Sequence, residues 1–321
     1  MSGAAGEFDL IARIRARAAS ARDDVVLGIG DDAAVVSVPA GQQLVVATDT
    51  LNAGVHFPDG TAPADVGWKA LAVNLSDLAA MGATPAWCTL SLSMPQGDAA
   101  WVDAFLDGFL SLAAAHDVAL IGGDTTRGPL SVCVTVHGFV APGQALRRDG
   151  ARVGDEVWVS GTLGDAAGAL VQWRADAAID ATLRARLDKP TPRVALGLAL
   201  AGIAHSAIDV SDGLVADLGH VCEASGVAAE FDVDALPVSP SLQAAFEGEL
   251  RRELQAAGGD DYELCFTAAA GMRDAVERTA AAAGVQVTRI GRIVEGEGIR
   301  ARTAHGVTWS PGITGYRHFR A

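Results

Sequence analysis

The sequence predicts an α/β chain built as two domains. Three observations carry this reading. The chain has 321 residues, 50% of them hydrophobic, which is ample for two cores. Short apolar or alternating runs, read as strands, recur between amphipathic helical stretches in both halves. A polar break at Arg147-Arg148-Asp149-Gly150 interrupts the pattern and divides the chain into an N-terminal domain, 1–148, and a C-terminal domain, 149–321.

In the first half, Glu7 to Ala19 reads as a helix with Phe8, Ile11 and Ile14 roughly on one face. Val25 to Ile29 reads as a strand running into Gly28-Ile29-Gly30-Asp31-Asp32-Ala33. That string matches G-x-G-x-x-A, but a dinucleotide site needs a helix next, and Val35, Val36 and Val38 read as strand. Two carboxylates there would also repel a pyrophosphate unless a cation intervened. Leu44 to Ala47 is a second strand, leading to Thr48-Asp49-Thr50, and His56 follows in a loop bounded by Gly and Pro. Asp65 to Met81 is a long helix that puts Asn74 and Asp77 on one face and ends at Gly82. Trp87 to Met94 alternates as a half-buried strand does, and Asp98 to His116 is an amphipathic helix. Val118 to Ile121 is an apolar strand ending at the pair Gly122-Gly123, with Asp124-Thr125-Thr126-Arg127 beyond it, and Leu130 to Val140 is the next strand.

The second half opens with a strand, Glu156 to Ser160, a Gly-rich turn from Gly161 to Asp165, and a helix ending near Trp173. Pro190 and Pro192 mark a linker before an apolar helix, Arg193 to Ala204. In Ile208-Asp209-Val210-Ser211-Asp212-Gly213 a strand gives way to a helix that Ser211 or Asp212 could cap. Gly258-Gly259-Asp260-Asp261 repeats the theme of a Gly pair plus acids, here against the strand Glu263 to Phe266. Gly271 to Ala283 reads as helix, Val285 to Ile293 as strand, and Trp309 to Phe319 as a docked loop.

Composition narrows the function classes. Arg plus Lys total 24 against 39 Asp plus Glu, a net charge of -15, with only the two lysines Lys69 and Lys189. Nucleic-acid binding needs a basic face, so it is disfavoured. No uncharged run approaches a membrane span, and Glu7 and Asp9 precede any apolar run, unlike a signal peptide. Cys88, Cys133, Cys222 and Cys265 lie far apart and read as packing residues in a reducing compartment. The expectation is a soluble, cytoplasmic protein.

Each acidic turn alone is ordinary turn chemistry. Together, Asp31, Asp32, Asp49, Asp77, Asp124, Asp209 and Asp212 sit mostly at strand ends or beside glycines. Several converging carboxylates repel unless hard cations fill the space, and Mg²⁺ suits oxygen ligands and phosphates. No Walker A loop and no protein-kinase H-R-D or D-F-G is present, so metals, backbone amides and arginines such as Arg127 and Arg148 must hold any nucleotide.

The strings G-I-G-D-D-A, A-T-D-T, N-L-S-D-L-A-A-M-G, I-G-G-D-T-T-R-G, A-I-D-V-S-D-G and G-G-D-D-Y-E-L resemble those of the thiamine-monophosphate kinases, over nearly the whole chain. These belong to the aminoimidazole-ribonucleotide synthetase-like superfamily. The resemblance implies an N-terminal mixed sheet with helices that forms a homodimer, and a C-terminal α/β domain that completes the active site. It implies phosphorylation of thiamine monophosphate to thiamine diphosphate, with ATP as co-substrate and several Mg²⁺ ions. Metal ligands carry over onto Asp31, Asp32, Thr48, Asp49, Asp77, Asp124, Asp209 and Asp212. ATP contacts carry over onto Gly123, Asp124, Arg148 and Ser211. Substrate contacts carry over onto His56 and Asp260, where the family usually has Glu, and onto an aromatic near the C-terminus, with Trp309 and Tyr316 as rivals.

Overall fold

The computed structural model describes residues 6–18, 22–316 and 318; Ala19 and Phe319, assigned above to the first helix and the final loop, lie outside them. The chain divides into two units, Met1–Leu78 with Ala83–Gly143, and Ala79–Gly82 with Gln144–Ala321.

The first unit runs α1 (Glu7–Arg17), β1 (Val25–Leu27), β2 (Val35–Val36), β3 (Gln43–Asn52), α2 (Pro63–Ala80), β4 (Thr84–Met94), α3 (Ala99–Ala115), β5 (Ala119–Arg127) and β6 (Ser131–Val140), with the end of α2 grouped in the second unit. Strands β3, β6, β4 and β5 form one sheet in that order, with only β4 and β5 parallel. Alternation sets its two faces. Leu51, Leu90, Leu92, Val132, Val134 and Val136 are buried, as are Leu71, Leu75 and Leu78 of α2 and Phe105, Leu106 and Phe109 of α3. Leu44 and Val46 of β3 point the other way and are 44% and 53% exposed. The β1–β2 ribbon packs Val25 and Val36 against Trp87, Ile121 and Phe139.

One sequence expectation is corrected here. The strand expected to stop at Ile121 continues through Gly122 and Gly123 to Arg127. A Cβ on Gly123 would stand 1.8 Å from the Leu90 carbonyl oxygen, and its φ is +150°. The glycine therefore permits close strand pairing instead of ending the strand.

The second unit runs β7 (Asp155–Ser160), α4 (Asp165–Arg174), α5 (Ala181–Asp188), α6 (Val194–Leu200), β8 (Ala204–Val210), α7 (Leu214–Ser225), β9 (Ala228–Asp232), α8 (Pro240–Ala245), α9 (Gly248–Ala257), β10 (Glu263–Ala269), α10 (Arg273–Ala282), β11 (Val287–Val294), β12 (Gly298–Arg302) and β13 (Thr308–Trp309). Its seven-stranded sheet has the order β13-β12-β9-β11-β7-β10-β8, parallel only between β12 and β9. Val157, Val159, Ile208 and Val210 pack with Leu214, Leu218 and Val221 of α7. A second cluster joins Ala166 and Ala169 of α4 to Leu183 and Leu187 of α5. The helix expected over Arg193 to Ala204 stops at Leu200, because Gly202, at φ +78°, turns the chain into β8.

Candidate active site

In the first unit the candidate residues hang on the four-stranded sheet and on α2. Asn74, fully buried in α2, accepts the Asp49 amide N–H at 2.9 Å and donates to the Ala70 carbonyl at 2.9 Å. This ties α2 to β3 at Asp49; the half-buried Asp77 follows Asn74 one turn on, on the same helix face. Thr48 leaves the opposite face and its hydroxyl donates to Thr135 Oγ1 at 2.9 Å. Asp124 shares that opposite face, because pairing runs Thr50–Cys133–Ser91–Asp124 across the sheet. Thr48 and Asp124 thus sit on the two edge strands, three strand spacings or roughly 14 Å apart. One small ion cannot bridge them. Asp31 and Asp32 lie exposed in the turn between β1 and β2, where Asp31 Oδ1 accepts the Asp32 amide at 2.9 Å.

His56 closes a short loop after β3. Its Nδ1 accepts the Asn52 amide at 2.9 Å, its own amide donates to the Asn52 carbonyl at 3.0 Å, and its carbonyl accepts from Lys69 Nζ at 2.9 Å.

In the second unit the site is a pair of interlocked turns. Neither Ser211 nor Asp212 caps α7. Its N-cap is Gly213, and the amides of Ser211, Asp212 and Gly213 all donate to Asp217 Oδ2, each at 3.1 Å. Burial pushes the Asp217 carboxyl up to about 8, the charges of Asp209 and Asp212 push the same way, and the amide donors pull it down. Burial also raises the Asp212 carboxyl; the imidazoles of His318 and His220 oppose this and Asp260 adds to it. The second turn clasps the first. The Asp260 amide donates to the Ser211 carbonyl and the Tyr262 amide to the Val210 carbonyl, both at 2.8 Å. Asp260 and Tyr262 hold φ of +67° and +51°, and Tyr262 Oη donates to Asp260 Oδ1 at 2.9 Å. Such left-handed backbone at two non-glycine residues is strain that the surrounding hydrogen bonds offset.

Beneath this turn the carboxylates are structural. Asp261 is buried and takes the Gly164 amide on both oxygens, at 2.9 and 3.0 Å; burial holds its carboxyl well above the usual range. Glu263, fully buried, receives Arg186 at 2.6 Å, Arg193 at 2.5 and 2.6 Å, and the Ser160 hydroxyl at 2.5 Å. Beside Asp212 a groove of about 870 Å³ is lined by His220, Ile299, Trp309 and Tyr316 among others. Trp309 is 8% exposed and its indole N–H is donated to Glu249, whereas Tyr316 is 44% exposed with its amide on the Asp212 carbonyl at 3.0 Å. Arg148 lies exposed in a single 3-10 turn, where its carbonyl accepts the Ser225 hydroxyl at 2.8 Å. Among the described residues, no three His, Cys, Asp or Glu side chains gather into a closed metal cage.

Sequence reasoning missed Lys69, Asp217 and the Glu263 hub. A signal was available for the first two. Lys69 falls three residues after Val66 and four before Val73, and Asp217 three after Leu214 and four before Val221. A charge on a helix's apolar face is buried, and a buried charge must have partners.

Residues 30–140 match the N-terminal domain model of the AIR synthase related proteins, and residues 152–303 match the C-terminal domain model. The fold and its acidic turns thus define a two-domain protein of the AIR synthase related class. Within that class the match narrows. The chain is 47% identical to the thiamine-monophosphate kinase of Salmonella typhimurium, over 98% of this chain and 99% of that protein. The crystal structure of the thiamine-monophosphate kinase from Stenotrophomonas maltophilia K279a has a TM-score of 0.87 and 57% identity, covering 94% of this chain and 96% of the other. A structure of AaThiL complexed with AMPPCP and TMP has a TM-score of 0.75 and 33% identity, covering 95% and 96%. The chain belongs to the thiamine-monophosphate kinases, a family of phosphotransferases. Among the described residues, no helix is long and apolar enough to cross a membrane.

Proposed function

We propose that this chain transfers the γ-phosphoryl group of ATP to thiamine monophosphate, releasing ADP and thiamine diphosphate. One observation carries the proposal: 33% identity over 95% of the chain to a protein solved with AMPPCP and TMP. The donor chemistry supports it. Asp31, Asp32, Thr48, Asp49, Asp77, Asp124, Asp209 and Asp212 offer only hard oxygen atoms, the donor type that suits Mg²⁺. Bound Mg²⁺ supplies charge neutralisation between two polyanions.

The chain's own residues then position the reactants. Gly123, Asp124, the hydroxyl of Ser211 and the exposed guanidinium of Arg148 receive ATP. His56, Asp260 and an aromatic receive thiamine monophosphate; Tyr316 is favoured, because Trp309 is committed to the core and to Glu249. An oxygen of the acceptor phosphate, already ionised near neutral pH, forms the new P–O bond. The bond from Pγ to the bridging oxygen breaks, and ADP leaves with its electrons. No general base is needed and no phosphoenzyme forms, so positioning and charge neutralisation supply the rate. Residues of 1–148 provide nucleotide and metal contacts and a homodimer face, supported by the exposed Leu44 and Val46; residues of 149–321 complete the set. A cytoplasmic setting is supported by four unpaired cysteines.

The test uses γ-labelled ATP with Mg²⁺. Without acceptor the protein stays unlabelled, and with thiamine monophosphate the label enters thiamine diphosphate. ADP release indifferent to thiamine monophosphate sinks the substrate assignment, and stoichiometric label on the protein sinks direct transfer.

A further inference from the structure

A lysine side chain lies at 1% exposure on the apolar face of α2, between Val66 and Val73. Burying an ammonium group is costly, so its position is set by the acceptors it finds. One of these is the carbonyl of His56, 2.9 Å from Nζ, thirteen residues back along the chain. The same residue is gripped twice more, through its amide on the Asn52 carbonyl and its ring Nδ1 under the Asn52 amide.

The ring contact has a chemical consequence. A backbone N–H only donates, so Nδ1 holds a lone pair and the ring proton resides on Nε2. The loop therefore presents an N–H donor, the group that a phosphate oxygen accepts from. The arrangement lasts only while the loop stays closed. Its other ties include the Gly54 amide on the Phe57 carbonyl at 3.0 Å, the Val55 amide on the Asn52 carbonyl and the Ala53 amide on the Leu130 carbonyl, both at 3.2 Å, and the burial of Phe57.

We infer that Lys69 is a positioning residue for phosphate recognition: from inside the core it fixes the 52–56 loop so that His56 offers Nε2–H to an anionic oxygen of the acceptor phosphate. This rests on the reading of His56 as a substrate contact. Lys69 does not touch the substrate; it acts through His56.

A double-mutant cycle on the full-length protein tests it, with KM for thiamine monophosphate and for ATP measured separately. His56→Ala raises KM for thiamine monophosphate at least about tenfold, the worth of one hydrogen bond to a charged group. Lys69→Met, unbranched, apolar and one atom shorter, raises the same KM by a similar factor and leaves KM for ATP within about twofold. The double variant is no worse than His56→Ala alone. Long-range ¹H–¹⁵N NMR, with His56 assigned by loss of its signal in His56→Ala, shows the Nε2–H tautomer in wild type and a tautomer mixture in Lys69→Met. Should Lys69→Met fail to fold, Lys69→Gln, a shorter neutral donor, replaces it in the cycle and in the spectra. Fully additive effects, an equal rise in KM for ATP, or an Nδ1–H tautomer in wild type overturns the inference. An unchanged KM in His56→Ala removes the substrate reading instead, and the NMR arm alone then decides whether Lys69 fixes the ring.

Discussion

Two stretches of this chain read almost alike, Gly122-Gly123-Asp124 and Gly258-Gly259-Asp260-Asp261, and they fold into opposite things. The first lies inside a strand, where Gly123 lets β5 come hard against the Leu90 carbonyl and Asp124 faces outward. The second is a strained turn, where Asp260 and Tyr262 take left-handed backbone and Asp261 vanishes into the core. A glycine pair followed by acids thus specifies no conformation. Partners far off in sequence decide it: β4 in one case, the Ser211 turn and the Gly164 amide in the other. The exposed acid is free for chemistry, and the buried one is spent on the fold.

The glycines give the largest expected contrast. Gly123→Ala places a methyl 1.8 Å from backbone at a φ of +150°, and we expect a loss of about 4 kcal/mol or an insoluble product. Gly259→Ala meets the Ser211 carbonyl at 2.5 Å with no left-handed backbone to maintain, so a loss of about half that is expected. Urea unfolding of the two variants compares them directly, and equal losses would break the distinction drawn above. The acids come next. Asp124→Asn lowers turnover by about two or more orders of magnitude, the scale of one electrostatic contact in a transfer step, at unchanged melting temperature. Asp261→Asn does the reverse, costing about 1–2 kcal/mol of stability with activity kept in the folded fraction. A stability loss in Asp124→Asn, or intact turnover, removes the functional half of the comparison.

The smallest effect sharpens the second motif from within. Tyr262→Phe deletes the 2.9 Å hydrogen bond from its hydroxyl to Asp260. The expected outcome is about 1 kcal/mol less stability and a two- to threefold higher KM for thiamine monophosphate. A change in KM for ATP alone would place Asp260 on the nucleotide instead.

How much of this was legible follows from the range of the forces involved. Alternation in Trp87 to Met94 and the apolar face of Asp98 to His116 are local patterns, and β4 and α3 formed where they lie. The acidic strings read alike locally, yet Asp49 lies inside β3 and Asp124 inside β5, so spacing alone did not reveal where the strands end. The continuation of β5 past Gly123 was not legible, because only the spatial neighbour Leu90 reveals why a glycine belongs there. Glu263 looked like any acid at a strand start, since its partners Arg186 and Arg193 come from α5 and the segment before α6. Helix α5 itself, eight residues with Leu183 and Leu187 as its buried apolar positions, carried too weak an apolar rhythm to be noticed.

The Asp217 turn carries one more consequence. The first amides of a helix are a ready receptor for phosphate, because they converge where the helix dipole is positive. Ahead of α7 the chain's own Asp217 carboxyl already occupies the three amides that lead into the helix, those of Ser211, Asp212 and Gly213. Any phosphate approaching there competes with a ligand that is tethered and never diffuses away. Those three amides are therefore closed to stray anions such as inorganic phosphate, while the first turn of α7, from Leu214 on, lies outside this clasp. Replacing Asp217 by a residue with no side-chain acceptor would free three converging amides just ahead of α7, and with them a route to phosphate binding that the wild-type chain has shut.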